Sequence, residues 1–190
     1  PFPLNLDLIL SWRCNLACPM CNLRQEHNVE AFAGFQRDEM SVSDWLRVIE
    51  DARRSFPLRP NINLLGGEPT LYKGYLDIIA QAKRRGFRCT FVTNGTHLER
   101  DADLLVASDM DVIMVSLDGG EALHDRIRGT GVFQRAVRGA QRLQEIKRQR
   151  GSQRPHLFMA TAINGANHAQ LDEAVDVAAS LNVESLTMLH

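Results

Sequence analysis

The chain has 190 residues, 44% of them hydrophobic and 24% charged, with a formal net charge of −1. That length suits one sizeable globular domain, read here as spanning 1–190, and the near-neutral balance gives no electrostatic reason to expect a nucleic-acid or membrane partner. No apolar run is long enough to cross a bilayer, and the opening PFPLNLDLIL lacks the basic start and small-residue cleavage site of a signal peptide.

Leu4–Leu10 is predicted as the first strand, and the run CNLACPMC follows it directly. Ser41 is predicted to cap a helix, with Asp44 three residues later and Val42, Trp45, Leu46 and Ile49 on one face. Asn61–Leu65 is the second strand. Tyr72, Tyr75, Leu76, Ile79 and Lys83 then repeat the helical spacing, with Gly86 as the stop. Arg88–Thr93 is the third strand, followed by a short helix near Glu99–Ala107, and Asp111–Ser116 is the fourth. Phe133, Ala136, Val137, Ala140, Leu143 and Ile146 form a long helical stripe. Its basic end and the loop after it (Arg142, Lys147, Arg148, Arg150, Arg154) read as a solvated helix terminus. Leu157–Ile163 is the fifth strand, Leu171–Leu181 the last helical stripe and Glu184–Leu189 the sixth strand.

Most of these strands are near-continuous apolar runs, which predicts parallel strands buried on both faces. Strictly alternating strands and helices imply a parallel α/β sheet with helices outside it. The pattern suits a partial barrel or an open doubly wound sheet, and periodicity does not separate them. The last strand ends at the last residues, so a further helix or C-terminal extension is absent from this sequence, which reads as the core of a longer protein or a minimal version of one.

Cys14, Cys18 and Cys21 are spaced C-x3-C-x2-C. Three thiolates so close together can hold three corners of one metal cluster and leave the fourth open to a ligand. Three of the four cysteines within eight residues do not resemble a secreted disulfide framework, and a reducing cytoplasm suits thiolate ligands better. Zinc is the competing reading, with His27 or Cys89 as fourth ligand, although zinc sites usually split their ligands into two distant pairs. Cys89 shares a strand face with Phe87 and Phe91 and reads as a small buried hydrophobe. His97, His124, His156 and His168 show no ligand spacing and read as structural or exposed.

The other polar signals fall after successive strands. Gly66-Gly67-Glu68-Pro69 follows the second, and its paired glycines permit close backbone approach while Glu68 offers a carboxylate to an ammonium group. Thr93-Asn94-Gly95 follows the third and Ser116-Leu117-Asp118-Gly119-Gly120 the fourth. Parallel α/β folds bind ligands at this end of the sheet. Arg128, in HDRIRGTG, could present a guanidinium fork to a ligand carboxylate; it otherwise reads as a surface arginine near a helix start, and Arg126 competes with it.

The Cys motif, GGEP, TNG and SLDG, each after its strand, resemble the radical S-adenosylmethionine (radical SAM) enzymes. The resemblance runs from Leu6 to Leu189 and is nearest the branch of molybdenum-cofactor enzymes and SPASM-type peptide maturases. It implies a six-stranded partial (β/α)6 TIM-like barrel, the radical SAM core. It further implies a [4Fe–4S] cluster on Cys14, Cys18 and Cys21, with S-adenosyl-L-methionine chelating the open iron. Gly66, Gly67 and Glu68 would hold its ammonium group, Ser116 its ribose or methionyl part and Arg128 its carboxylate. Thr93 and Asn94 would line the rim, and Ile163 through Asn167 the adenosine side. Reductive cleavage would give methionine and a 5′-deoxyadenosyl radical that abstracts hydrogen from a small-molecule or peptide substrate, as in peptide or cofactor maturation. The electron would come from a donor such as flavodoxin or ferredoxin. Met20 stands where many relatives carry an aromatic residue against the adenine. The SPASM region with its extra cluster cysteines is missing. A cobalamin-assisted methyltransferase, or a non-catalytic zinc or Fe–S module, are the alternatives.

Overall fold

The computed structural model describes residues 3–24 and 38–190. Its strands are β1 (Asn5–Ser11), β2 (Asn61–Gly66), β3 (Cys89–Thr93), β4 (Val112–Ser116), β5 (His156–Ala162) and β6 (Ser185–Leu189). All neighbouring pairs are parallel and the order is β1 through β6, so each strand lies beside its predecessor in the chain. The sheet is open: among the described residues β1 and β6 do not pair with each other.

The connections are helical. Helix α1 (Val42–Ser55) links β1 to β2, α2 (Tyr75–Arg84) links β2 to β3 and α3 (Leu98–Ala107) links β3 to β4. Two helices, α4 (Glu121–Arg128) and α5 (Val132–Arg150), join β4 to β5, and α6 (Leu171–Ser180) leads to β6. Helix α1 starts with the predicted cap: the Asp44 amide donates to the Ser41 hydroxyl, and the Asp44 carboxylate accepts from the Ser41 amide. The stripe predicted from Tyr72 begins as a helix only at Tyr75. Tyr72 instead closes a 3-10 turn over Pro69–Leu71 and donates its hydroxyl to the Met40 carbonyl.

The core lies between the sheet and the helices. Leu8, Leu10, Ile62, Leu64, Phe91, Ile113, Val115, Leu157 and Met159 alternate along their strands and are buried there with Ile49, Ile78, Ile79, Leu105, Leu143 and Ile146 from the helices. The expectation of burial on both faces is corrected. Ile9, Leu65, Val92 and Met114 occupy the opposite, concave face and are only partly covered, with Ile9 40% exposed. That face is the inside of an incomplete barrel. Lys147, placed by sequence in a solvated terminus, is buried and faces the Glu184 carboxylate across 3.7 Å, because its long stem packs back on the domain.

At the upper end of β1 and β2 the two chains come unusually close. The Gly67 amide donates to the Ser11 carbonyl at 2.8 Å and the Glu68 amide to the Arg13 carbonyl at 2.8 Å, so the ladder continues past the strands into their loops. A methyl group on Gly66 would overlap the Ser11 carbonyl oxygen, and one on Gly67 the Arg13 carbonyl oxygen. Gly66 also has φ of +145°, a backbone state that disfavours any side chain. The paired glycines thus let β2 clamp the start of the cysteine loop. Gly66→Ala is expected to destabilise the fold by about 2–4 kcal/mol in urea denaturation. Gly165→Ala, where a methyl group meets nothing within 4 Å, should stay within about 0.5 kcal/mol of the parent.

Candidate functional site

Cys14, Cys18 and Cys21 lie on the loop leaving β1, at the C-terminal end of the sheet. They line a cavity of about 470 Å³ together with Leu16 and Met20 from the same loop, Leu65, Gly66 and Gly67 from the end of β2, and Val92, Thr93 and Asn94 from the end of β3. Ser116, Arg128 and Ala162 complete the wall from β4, α4 and β5. That volume falls within the range of small-molecule sites. A larger hollow of about 710 Å³ lies between the outer helices, lined by Glu99, Arg138, Arg142 and Glu145, and receives nothing from the strand ends. Size alone does not make it the site, because only the smaller cavity gathers the thiols.

The walls of the thiol-lined cavity contain no carboxylate or imidazole among the described residues. Cys18 is buried and packs with Leu16 and Val132, the first residue of α5. Burial pushes its thiol above the ordinary value, the Arg128 guanidinium pulls it down, and Cys14 and Cys21 push it up again. Cys89 is remote from this group. It is fully buried in β3, and burial pushes its thiol up to about 12, which makes it a packing residue. His27 lies outside the described residues.

The donor set can be tested against the metals it was expected to hold. A single zinc ion would draw its sulfurs to within about 3.8 Å of one another, as a tetrahedron with 2.3 Å bonds requires. Among the described residues, no three His, Cys, Asp or Glu side chains are grouped to hold one ion. A cluster takes each thiolate on a different iron and spaces them more widely. Three thiols around a roomy cavity, with no fourth side-chain ligand in its wall among the described residues, fit a cluster with one open iron.

The predicted polar residues divide into two groups. Ser116 and Arg128 face the cavity, as do the backbones of Gly66 and Gly67. Glu68 does not line it. Its buried carboxylate accepts from the Thr70 amide (3.2 Å) and hydroxyl (2.7 Å), the Thr93 hydroxyl (2.8 Å) and the Asn94 amide (2.8 Å). Four donors hold its carboxylate, three on Oε1 and one on Oε2, so Glu68 braces two loops, and a ligand ammonium would meet the Gly66–Gly67 backbone first. Thr93 and Asn94 reach the wall, but their polar groups serve the same bracing. The Asn94 side-chain amide donates to the Asn15 side-chain Oδ1 (2.9 Å) and contacts the Cys14 sulfur (3.9 Å), and Asn15 Nδ2 donates to the Thr96 hydroxyl (2.9 Å). Ile163 is not in the wall either. Its amide is spent on the Leu189 carbonyl at 2.6 Å, and Ala162 takes the place facing the cavity.

Arg128 corrects its sequence reading in two ways. It ends helix α4 where a helix start was expected, and only 11% of its side chain is exposed. Its Nε and Nη2 donate to Asp118 at 2.5 and 3.2 Å, so the fork expected for a ligand carboxylate is already made inside the protein. Burial disfavours its charge, but Asp118 and the Cys18 and Cys14 thiols outweigh that and raise its pKa. Arg126 lies outside the wall and donates to the Ala166 carbonyl. Leu16, Leu65, Val92 and Ala162 were missed as wall residues. The signal available for Leu65 and Val92 was their parity along the strands, which puts them on the concave face above Asn63 and Thr90.

Comparison with known proteins follows this geometry. The family model described as "Radical SAM superfamily" matches residues 8–178. The mycofactocin maturase MftC of Mycobacterium tuberculosis is 31% identical over 93% of this chain and 42% of its own length. The Fe-coproporphyrin III synthase of Methanosarcina barkeri is 36% identical over 70% of this chain and 32% of its own length. Among solved structures, Streptococcus suis SuiB bound to S-adenosylmethionine superimposes with a TM-score of 0.79 at 21% identity, over 98% of this chain and 40% of SuiB. The chain therefore spans less than half the length of these relatives, and the likeness to SuiB concerns the fold.

His124 supports the site from behind. It is fully buried, its Nδ1 accepts the Asp118 amide at 3.1 Å, and its ring meets Phe133 edge-on at 5.8 Å. Burial pushes its pKa down to about 4, with Arg128 adding to the effect. The unfolded chain takes up this proton near the ordinary value of about 6.5, so stability is full above that pH and falls as pH drops toward 4. Over that window the loss should approach about 3 kcal/mol. Chemical denaturation from pH 7 to 4 measures it, and His124→Asn, which keeps an acceptor for the Asp118 amide, should flatten the slope.

Proposed function

The chain belongs to the Radical SAM superfamily, an enzyme family built on a [4Fe–4S] cluster and S-adenosylmethionine, and on that premise we propose that Cys14, Cys18 and Cys21 are its cluster ligands. The observation that carries this reading is three thiols on the β1 loop facing a cavity whose wall, among the described residues, offers no fourth side-chain ligand. When bound, the cluster supplies the electron that cleaves S-adenosylmethionine to methionine and a 5′-deoxyadenosyl radical, which takes hydrogen from the substrate.

The protein's own part is binding, orientation and exclusion of water. The Gly66–Gly67 backbone gives the ammonium group a surface with no side chain in the way. Ser116 presents a hydroxyl for the ribose or methionyl part. Arg128 lines the cavity while Nε and Nη2 hold Asp118, which leaves Nη1 for the cofactor carboxylate as a single charge-assisted hydrogen bond. Met20 lies in the wall where its flexible thioether can pack on the adenine. Leu16, Leu65, Val92 and Ala162 keep that space apolar.

We further propose that the substrate belongs to peptide or cofactor maturation and that a flavodoxin- or ferredoxin-type protein donates the electron. Kinship with a maturase across 93% of the chain supports the first. No helix of the described residues is long and apolar enough to cross a membrane.

Anaerobic reconstitution tests the assignment. The expected product is brown, carries about four irons per chain, shows an electron-spin spectrum that changes on adding S-adenosylmethionine, and releases 5′-deoxyadenosine after reduction. A colourless zinc protein would refute it. Cys18→Ala should lose the cluster and the cleavage, while Cys89→Ala should retain both at reduced stability. Loss of iron from Cys89→Ala alone would overturn the ligand assignment.

A further inference from the structure

We propose that Asp118 is a positioning residue for the cofactor site: it fixes which edge of Arg128 faces the cavity and balances the guanidinium charge beside the thiols. The proposal rests on the cluster and S-adenosylmethionine reading above. Asp118 is fully buried. Oδ2 accepts from Arg128 Nε (2.5 Å), and Oδ1 accepts from Arg128 Nη2 (3.2 Å) and the Ala162 amide (3.0 Å).

Its backbone is held as firmly. The Asp118 amide donates to His124 Nδ1, and its carbonyl accepts the Asn167 side-chain amide at 3.1 Å. One residue earlier, the Leu117 carbonyl accepts the Thr161 hydroxyl at 2.8 Å. The end of α4, the end of β5 and the loop after it therefore converge on one residue. Such fixing at both backbone and side chain is more than a lone buried arginine needs to be neutralised.

Two consequences separate this role from simple structural support. With Nε and Nη2 held, the guanidinium cannot rotate, so the direction of Nη1 toward a ligand is set before the ligand arrives. The entropy of that placement is spent during folding and lowers the cost of binding. Second, Arg128 and the thiols share one cavity, and a guanidinium left uncompensated there favours an added electron on any cluster the thiols carry. Asp118 offsets that charge and holds the potential down, which makes the reduced cluster a stronger donor.

Asp118→Asn keeps size and an acceptor for the Ala162 amide but sets a donor against Arg128. In reconstituted protein with iron content equal to the parent, two quantities are read: the midpoint potential of the cluster without S-adenosylmethionine, and the dissociation constant for S-adenosylmethionine by equilibrium dialysis. The potential is expected to rise and the affinity to fall about tenfold, as for loss of one well-placed charge-assisted hydrogen bond. An unchanged potential and affinity at full iron content would overturn the proposal. Should Asp118→Asn not fold, Arg128→Lys decides: it keeps the charge but cannot make the two-pronged contact, so affinity should fall while the potential stays near the parent's. Parental affinity in that variant would equally overturn it. A parent protein that takes up no cluster would instead refute the functional reading itself, and this proposal with it.

Discussion

The upper end of the sheet depends on one buried carboxylate. Glu68 accepts four hydrogen bonds from Thr70, Thr93 and Asn94, and its own amide donates to the Arg13 carbonyl of the cysteine loop. A buried charge is tolerable only when it is hydrogen-bonded, and here those bonds tie the loop after β2 to the loop after β3, while the Glu68 amide adds the loop after β1. The close backbone approach at Gly66 and Gly67 makes this geometry accessible, because any side chain there would hold β2 away from Ser11 and Arg13. A second clasp lies alongside: Glu39 accepts from the Ser11 hydroxyl and takes a two-pronged contact from Arg13, which also reaches the Leu71 carbonyl. The thiols of the β1 loop are therefore placed in part by two carboxylates, Glu68 and Glu39, that do not line the cavity.

Opposite this carboxylate stands the Asp118–Arg128 pair, and the two acids divide the labour. Glu68 orders the wall made by the first three strands. Asp118 orders the wall made by the fourth and fifth, with His124 beneath it. The cavity is thus framed by two buried, hydrogen-bonded carboxylates, neither of which lines it, and among the described residues the polar groups left facing inward are few: Ser116, one edge of Arg128 and strand-end backbone. That scarcity suits a site whose chemistry belongs to a bound cofactor and whose protein must mostly orient it and keep it dry.

Much of this was legible in the sequence. Each predicted strand lies within one residue of its observed bounds, because runs such as VIMV in β4 have strand length and sit between clear turn residues. The Ser41–Asp44 cap was readable because the capping box is a local pattern. Helix α4 was not: EALHDRIR is short, mostly polar and starts at Gly120 with no side-chain cap, so neither a stripe nor a cap announced it. Arg128 was misplaced for that reason. The cysteines, the paired glycines and Ser116 could be named from type and position after a strand. What Glu68 and Asn94 do could not, since a carboxylate or an amide in a loop is equally able to meet a ligand or a neighbouring loop. The choice is made by which donors the parallel order brings within reach, and those come from residues distant in the chain. The extent of concave burial was also illegible, because a strand's apolar content does not say whether its second face is covered.

The sequential order of the strands has a consequence for how the molecule is made. Each strand docks beside the one synthesised before it, so the sheet can grow from its first edge as the chain leaves the ribosome. The three thiols precede most of the sheet in the chain, whereas Arg128 and Ala162, which wall them in, arrive much later. At ordinary rates of translation that interval is on the order of ten seconds. Throughout it the sulfurs stand in an unfinished cup, open to oxidants and stray metals until the later strands close over the place.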